Sequence, residues 1–276
     1  MIRRSCLALA IAATFAATAS AQVVRFQTTV GDFDMVLNPT NNPALQGHVD
    51  NMLEYIESDR YRGSWINRAA ENFVLQMGGF YSHTKRVPMT IEHTHAVGSF
   101  GNVLGEPAAE NSGLSNTAGT VALALSGLPT GGTNQDSGSS SFFVNLTSNT
   151  FLDADFTVFA MIPDMTTINS IMALMQTNLT EDPDFGAGTG NLGFSDVPLE
   201  DNGFQVFIKH TFVINDAMEA ARVRAGIAPV MAASLAGGGG GGAASSSLLS
   251  PSVVPEPASI VLLLAGLLGA GLIRRR

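Results

Sequence analysis

An arginine, an aromatic ring and a carboxamide stand close together in WINRAAENFVLQMGGF (Trp65–Phe80): Arg68, then Phe73 five positions on and Gln76 eight positions on. The chemistry open to such a set is electrostatic, a cation held among apolar groups, and an arginine so placed is costly unless it has a polar partner or a task. If Phe73–Gly78 is a strand, Phe73 and Leu75 face one way while Val74 and Gln76 face the other. Gly78 and Gly79 then end that strand, turning the backbone where a side chain would interfere. On these residues alone, a surface arginine beside an ordinary core strand explains the stretch equally well.

The elements that must position it are short and mostly extended. Val23–Thr28 and Phe33–Leu37 alternate as two strands, joined through Val30-Gly31-Asp32 into a hairpin. Asn42-Pro43 opens a helix, with Asn as cap and Pro in its first turn, and Leu45, Val49, Met52, Leu53 and Ile56 give it one apolar stripe. Thr120–Leu125, Ser141–Leu146, Thr157–Ile162 and Val206–Asn215 are further strands, and Met165–Thr177 is a second helix with Ile168, Ile171, Met172 and Met175 on one side. Tyr81–Ser115 is a long irregular excursion, and Gly127–Ser140 a loop rich in Gly, Ser and Thr. His93-Thr94-His95 and the Asp182/Asp184 loop lack convincing ligand spacing, so no metal is expected. Asn145-Leu146-Thr147 and Asn178-Leu179-Thr180 match the glycosylation acceptor pattern, which is too common to carry weight.

Composition bounds the partners. Hydrophobic residues are 45% and charged ones 13% of 276, enough for one sizeable core with a surface of Ser, Thr, Asn and Gly. Five of the fourteen basic residues sit at the two ends, leaving nine against 23 acidic ones, so nucleic acid is not an expected partner. The single cysteine, Cys6, falls in the N-terminal segment, and the mature chain has no disulfide or thiol chemistry.

The ends carry addresses. Met1–Ala21 reads as a signal peptide, with Arg3 and Arg4, the apolar run Leu7–Ala17 and a small-residue Ala19-Ser20-Ala21 site before Gln22. Residues 22–224 form the domain, and 225–254, with Gly237–Gly242 and Ser245-Ser246-Ser247, a flexible linker. The final 255–276 hold Pro255-Glu256-Pro257, an apolar run Ala258–Ile273 and three arginines. At about 1.5 Å per residue that run reaches only ~24 Å, short for a hydrocarbon core of roughly 30 Å, so membrane insertion would be transient or lean on the arginines. Terminal arginines favour the cytoplasmic side, leaving the domain outside.

Two resemblances follow from these residues. The VPEP, short helix and arginine cluster looks like a PEP-CTERM sorting signal, which exosortase enzymes recognise in exopolysaccharide-producing Gram-negative bacteria; it implies export, with the periplasm, cell surface or matrix as destination. The segment from Val23 to about Ala221 resembles a cyclophilin, a family of peptidyl-prolyl cis–trans isomerases, through VGDFDMVL, RYRGSWINR, NFVLQMGGF, NTAGTVALA, SSFFVNL and FLDADFTVFA in family order. The resemblance implies a mainly β fold, a closed eight-stranded antiparallel barrel capped by two helices, acting on proline-containing polypeptides without a cofactor. It places Arg68 and Gln76 as catalytic residues, and Phe73, Leu123, Ala124, Phe143, Phe151, Leu152 and Phe156 around the proline. Asn67, Leu125 and Ser141 depart from the family's usual histidine, asparagine and glutamine, and Glu71-Asn72 replace a proline and glycine.

Those residues support an exported prolyl isomerase first. A binding module that grips proline segments without useful turnover is the alternative favoured by Asn67, Leu125 and Ser141. A structural matrix protein is a third, favoured by the linker and tail but leaving Arg68, Phe73 and Gln76 unexplained.

Overall fold

The computed structural model describes residues 21–82, 94–103, 113–128, 130–180 and 192–237. Residues 1–20 of the signal segment, His93, the Asp182/Asp184 loop, the linker beyond Gly237 and the sorting tail lie outside those residues. Among the described residues no helix is long and apolar enough to cross a membrane.

Strands β1 (Val23–Thr28) and β2 (Asp32–Leu37) form the expected hairpin. The Thr28 hydroxyl closes its turn, accepting from the Val30 and Gly31 amides and donating to the Gly31 carbonyl. Arg25 and Asp34 are register partners, and the guanidinium grips the carboxylate at 2.7 and 2.8 Å. Asn42 caps the next turn, accepting from the Ala44 amide at 3.0 Å, with Pro43 where a missing N–H does no harm. A 3-10 turn over Pro43–Leu45 feeds helix α1 (Gln46–Glu57).

Then come β3 (Ser64–Ala70), β4 (Val74–Ser82), β5 (Thr94–Ala96), β6 (Thr120–Leu123), a small pair β7 (Ser126–Gly127) and β8 (Thr133–Asn134), β9 (Phe142–Asn145) and β10 (Val158–Met161). Helix α2 (Thr166–Met172), β11 (Met175–Thr177), β12 (Val197–Leu199), β13 (Ile208–Val213), α3 (Ala217–Ala225) and α4 (Ala228–Gly237) complete the chain.

Eight strands run in the order β13–β1–β2–β10–β6–β9–β4–β3, every pair antiparallel, with β5 added beside β4. The ends of that order meet: the Gly63 amide donates to Ile208 O at 2.9 Å, the Ile66 amide to Val206 O at 3.0 Å, and Trp65 bridges Phe207. The result is a nearly closed eight-stranded barrel, as the resemblance implies. Inside it Phe26 stacks on Phe33 at 5.0 Å and meets Phe142 at 5.5 Å, while the buried Tyr61 hydroxyl donates to Ser140 O at 3.0 Å. Helix α1 buries Val49, Met52, Tyr55 and Ile56 into that core, and α2 buries Ile168 and Ile171, so these two helices cap the barrel.

Three local readings are corrected. Strand β4 does not stop at Gly78 but runs to Ser82, because β5 pairs with its far end. Gly78, at φ +81°, marks a register shift instead; a Cβ there would lie 2.7 Å from Ser140 O and 2.9 Å from the Tyr61 ring. The helix expected over Met165–Thr177 ends at Met172, since Met175–Thr177 pairs as a strand with Val197–Leu199, leaving Met175 exposed. At the other end, helical chain continues to Gly237, past the expected domain end at 224. Ala220, Val223 and Ile227 pack on Val23, Val36, Val158 and Met161, outside the barrel.

Burial of His48 on α1, with its ring 5.7 Å from that of Phe159, pushes its pKa from 6.5 down to about 4. The unfolded chain therefore takes up this proton first as pH falls. Stability from this group is complete above pH 6.5 and is lost as pH falls towards about 4, a decline on the order of 3 kcal/mol. Urea denaturation across that window should show the slope, and His48→Gln should flatten it; an unaltered slope would place the titration elsewhere.

Candidate active site

Strand register builds one cross-strand row on the outer face of the barrel. Arg68 lies opposite Gln76, Gln76 opposite Phe143, and Phe143 opposite Ala122. Their neighbours Ala69, Leu75, Val144 and Val121 belong to the interior core. A bulge in β3 makes this possible: Ile66 pairs with Met77 and Arg68 with Gln76, leaving Asn67 without a register partner. Ile66 and Ala69 can then both stay inside while Arg68 faces the row. Asn67, fully buried, donates from Nδ2 to Gly193 O at 2.8 Å, and the Ala69 amide donates to Asp196 O at 2.7 Å, so the bulge is clamped by the segment leading into β12.

Arg68 is half-buried, with Cζ 5.6 Å from the Phe73 ring centroid. Burial lowers its pKa, and the Asp196 carboxylate opposes that shift. Its Nε is buried and finds no hydrogen-bond partner among the described residues. A cationic donor is thus held beside an apolar surface with bonding capacity to spare. Gln76, buried next to it in the row, donates from Nε2 to the Ser141 hydroxyl at 3.3 Å, and that hydroxyl reaches Met77 O at 3.5 Å. Ser141 therefore braces Gln76 instead of extending an amide of its own.

The apolar bed is a cluster of Val74, Ala122, Phe143, Leu152 and Phe156, with Phe73, Ala124 and Leu125 against it. Phe143 meets Phe156 edge-on at 5.5 Å, and Phe73 stacks on Phe151 at 6.0 Å and 14°. Phe151 stays 53% exposed, an open aromatic wall. Of the residues singled out from sequence, Arg68, Gln76, Phe73, Ala124, Phe143, Phe151, Leu152 and Phe156 share this region. Leu123 does not: alternation along β6 turns it into the interior core, and Ala122 takes its place in the row. Phe73 also departs from simple alternation, joining Val74 instead of Leu75. It precedes β4 in a turn where Asn72 has φ +55° and the Phe73 amide bonds to Ala70 O at 3.1 Å. Asn is among the few side chains that tolerate that conformation, which suits the position where the family resemblance has glycine.

A polar network unseen in the sequence holds the bed's rim. The Phe73 carbonyl accepts from the Leu146 amide at 2.9 Å and from Asn149 Nδ2 at 3.0 Å. Asn149 also donates to Asn145 Oδ1 at 2.8 Å, and Asn145 Nδ2 reaches Asn116 Oδ1 and Thr120 Oγ1, each at 3.0 Å. Asn116 Nδ2 bonds to Asp153 Oδ1 and to the Phe156 carbonyl, both at 2.9 Å. The 3-10 turn over Thr150–Leu152, which carries Phe151 and Leu152, is thus tied at Asn149 and Asp153 to the backbone of Phe73 and Phe156. The sequence marked this network only through the acceptor pattern at Asn145, which carried no weight; Asn145 is fully buried with its side chain engaged.

Comparison with known proteins adds a family. A model described as "Cyclophilin type peptidyl-prolyl cis-trans isomerase/CLD" matches residues 23–185. Over 144 residues the chain is 31% identical to peptidyl-prolyl cis-trans isomerase A of Dickeya dadantii, covering 52% of this chain and 64% of that protein. Over 135 residues it is 27% identical to a peptidyl-prolyl cis-trans isomerase of Acinetobacter baylyi, covering 49% of this chain and 60% of the other. The match thus spans less than two thirds of either relative. A solved cyclophilin-type isomerase of Cryptosporidium parvum aligns with a TM-score of 0.45 at 15% identity, over 71% of this chain and 99% of that one.

Asn149→Ala would strip one donor from the Phe73 carbonyl and leave Asn145 Oδ1 without that partner. A loss of about 1–3 kcal/mol in unfolding free energy is expected. Urea titration should show it with an unchanged m-value; a difference within experimental scatter would mean that waters replace the amide.

Proposed function

We infer that this chain, which belongs to the cyclophilin-type peptidyl-prolyl cis-trans isomerase family, isomerises X–Pro bonds on the outer row of its barrel. The observation that carries this reading is the placement of the Arg68 guanidinium over Phe73, beside Gln76 and the bed of Phe143, Leu152 and Phe156. Rotating an amide breaks its resonance, a barrier of ~18–20 kcal/mol. Proline narrows the cis–trans gap to about 0.5–1 kcal/mol, so both isomers are populated and exchange slowly. As the bond twists, the proline nitrogen becomes pyramidal and can accept a hydrogen bond that the planar amide cannot. Arg68 can make that bond only near the transition state, which turns binding into acceleration. A hydrogen bond to a charged group contributes about 1.5–3 kcal/mol, or on the order of 10–100-fold in rate. The aromatic bed holds the ring while the preceding carbonyl swings, and Gln76, braced by Ser141, orients Arg68 or that carbonyl.

A second reading, a proline-binding module with little turnover, draws on Leu125 and Ser141. One packs against the bed and the other bonds back to Gln76, so neither offers an amide to the substrate backbone. The two readings separate at Arg68. For an isomerase, Arg68→Ala should lower kcat/KM about 10–100-fold while peptide affinity falls much less, and Arg68→Lys should restore little because the planar fork is lost. An unaltered domain that binds proline peptides without accelerating isomerisation would leave the binding module standing.

We further propose that the chain is exported and sorted. The support lies in sequence: the signal features of Met1–Ala21 and the Pro255-Glu256-Pro257, apolar and arginine units of the tail. The clients would then be envelope or extracellular polypeptides, and an exosortase-type enzyme a transient partner during insertion of the tail. Intact mass of native material should begin at or near Gln22 and lack Arg274–Arg276; a mass retaining those arginines would count against cleavage.

A further inference from the structure

The last helix, α4, is docked in an unusual way. Its sequence APVMAASLAG is almost wholly apolar, yet the residue it buries is Ser234. Leu235 is exposed, and Val230 and Met231 are only partly covered. Val230 and Met231 pack against the cluster outside the barrel, and the fully buried contact, at Ser234, is made by hydrogen bonds. Ser234 Oγ accepts from the Ser115 amide at 2.8 Å and donates to the Ser115 carbonyl at 2.6 Å. Gly237 permits the approach, since a Cβ there would lie 3.1 Å from Ser115 Cβ and 3.2 Å from Thr117 Cγ2.

Ser115 continues the connection. Its hydroxyl donates to the Asp153 carboxylate, whose Oδ1 also accepts from the Asn116 amide at 2.7 Å. Asp153 ends the turn that carries Phe151 and Leu152, and Asn116 reaches the Phe156 carbonyl and, through Asn145 and Asn149, the Phe73 carbonyl. A continuous hydrogen-bonded path thus runs from α4 to both sides of the aromatic bed. Its members Ser234, Ser115, Asn116, Asn145 and Asn149 are all buried, where bonds are strong and broken ones costly.

We propose that α4 belongs to the machinery of the site and that Ser234 is a positioning residue, fixing through Ser115 and Asp153 the turn that presents Phe151 and Leu152. The inference rests on the isomerase reading for its kinetic effect but not for its structural one. In the full chain, Ser234→Ala should raise KM for an Ala-Ala-Pro-Phe peptide about 3–10-fold with kcat within about twofold, the loss of one or two buried hydrogen bonds felt mainly in binding. Ser234→Thr, which keeps the hydroxyl, should restore KM. Unchanged KM in Ser234→Ala, even with a lower melting temperature, would overturn the proposal.

If Ser234→Ala does not fold, hydrogen exchange of the unaltered chain decides. Saturating peptide should slow exchange across Ala228–Gly237 more than across α3, because coupling is reciprocal. Protection that leaves Ala228–Gly237 unchanged would refute the link. Should the unaltered chain neither bind nor isomerise the peptide, it is the isomerase reading that fails. The link is then read from exchange at Asn116 and Asn149 in Ser234→Ala, expected about tenfold faster for one lost bond; unaltered rates there would refute it.

Discussion

A slip of one residue in the pairing of β3 with β4 would turn Arg68 into the barrel, and most of the molecule resists that slip. The bulge at Asn67 absorbs the extra residue that lets Ile66 and Ala69 both face inward. The backbone carbonyls of Gly193 and Asp196 clasp the bulge, the first accepting from the Asn67 side chain and the second from the Ala69 amide. On the other side of β4, Gly78 admits Ser140 O where any side chain would collide, so β9 can lie close and bring Phe143 opposite Gln76. Register, bulge and glycine together put a cation on an apolar row, and Asp196 offsets part of the cost.

The apolar bed alone would not hold its shape. Phe151 and Leu152 ride on a single turn, and Phe73 sits in a loop before its strand begins. Rings in such places lose their geometry first when backbone moves. Here the carbonyls of Phe73 and Phe156 are held by the Asn149 and Asn116 carboxamides, which offer donor and acceptor in one group and can be chained. Each bond nets only about 0.5–1.5 kcal/mol, but an orphaned member costs about 1–3, so the chain favours being wholly formed over being partly formed. A surface prepared in advance spends less binding energy on ordering itself.

The features legible in the sequence were those governed by neighbours in the chain. The β1–β2 hairpin, the Asn42-Pro43 cap and the α1 stripe follow from local chemistry, and Arg68, Phe73 and Gln76 stood out because the motif is contiguous. What escaped was set by partners far along the chain. Met175–Thr177 continues a helical pattern and becomes a strand because Val197–Leu199 lies beside it. Leu123 looked like a pocket wall until alternation in β6 turned it inward, and Asn116, Asn145 and Asn149 look like ordinary polar residues until their burial is known. Helices α3 and α4 were hidden for another reason: both are short and alanine-rich without strong periodicity, α3 carrying Glu219, Arg222 and Arg224, and α4 apolar but burying a serine.

The pairing of the first strand with the last has a kinetic side. β1 acquires β2 as soon as the hairpin forms, but its other edge stays open until β13 exists, with Val24 opposite Val213. Closure on β3 waits for the same segment, since Ile66 and Gly63 bond to Val206 and Ile208. Contacts so distant in sequence must overcome loop-closure entropy before they reward it, which slows folding. During synthesis the growing chain therefore carries an unfinished sheet with unpaired edges, exposed to association with other chains until nearly the whole domain has been made. The barrel thus depends on a late, long-range step in its own folding.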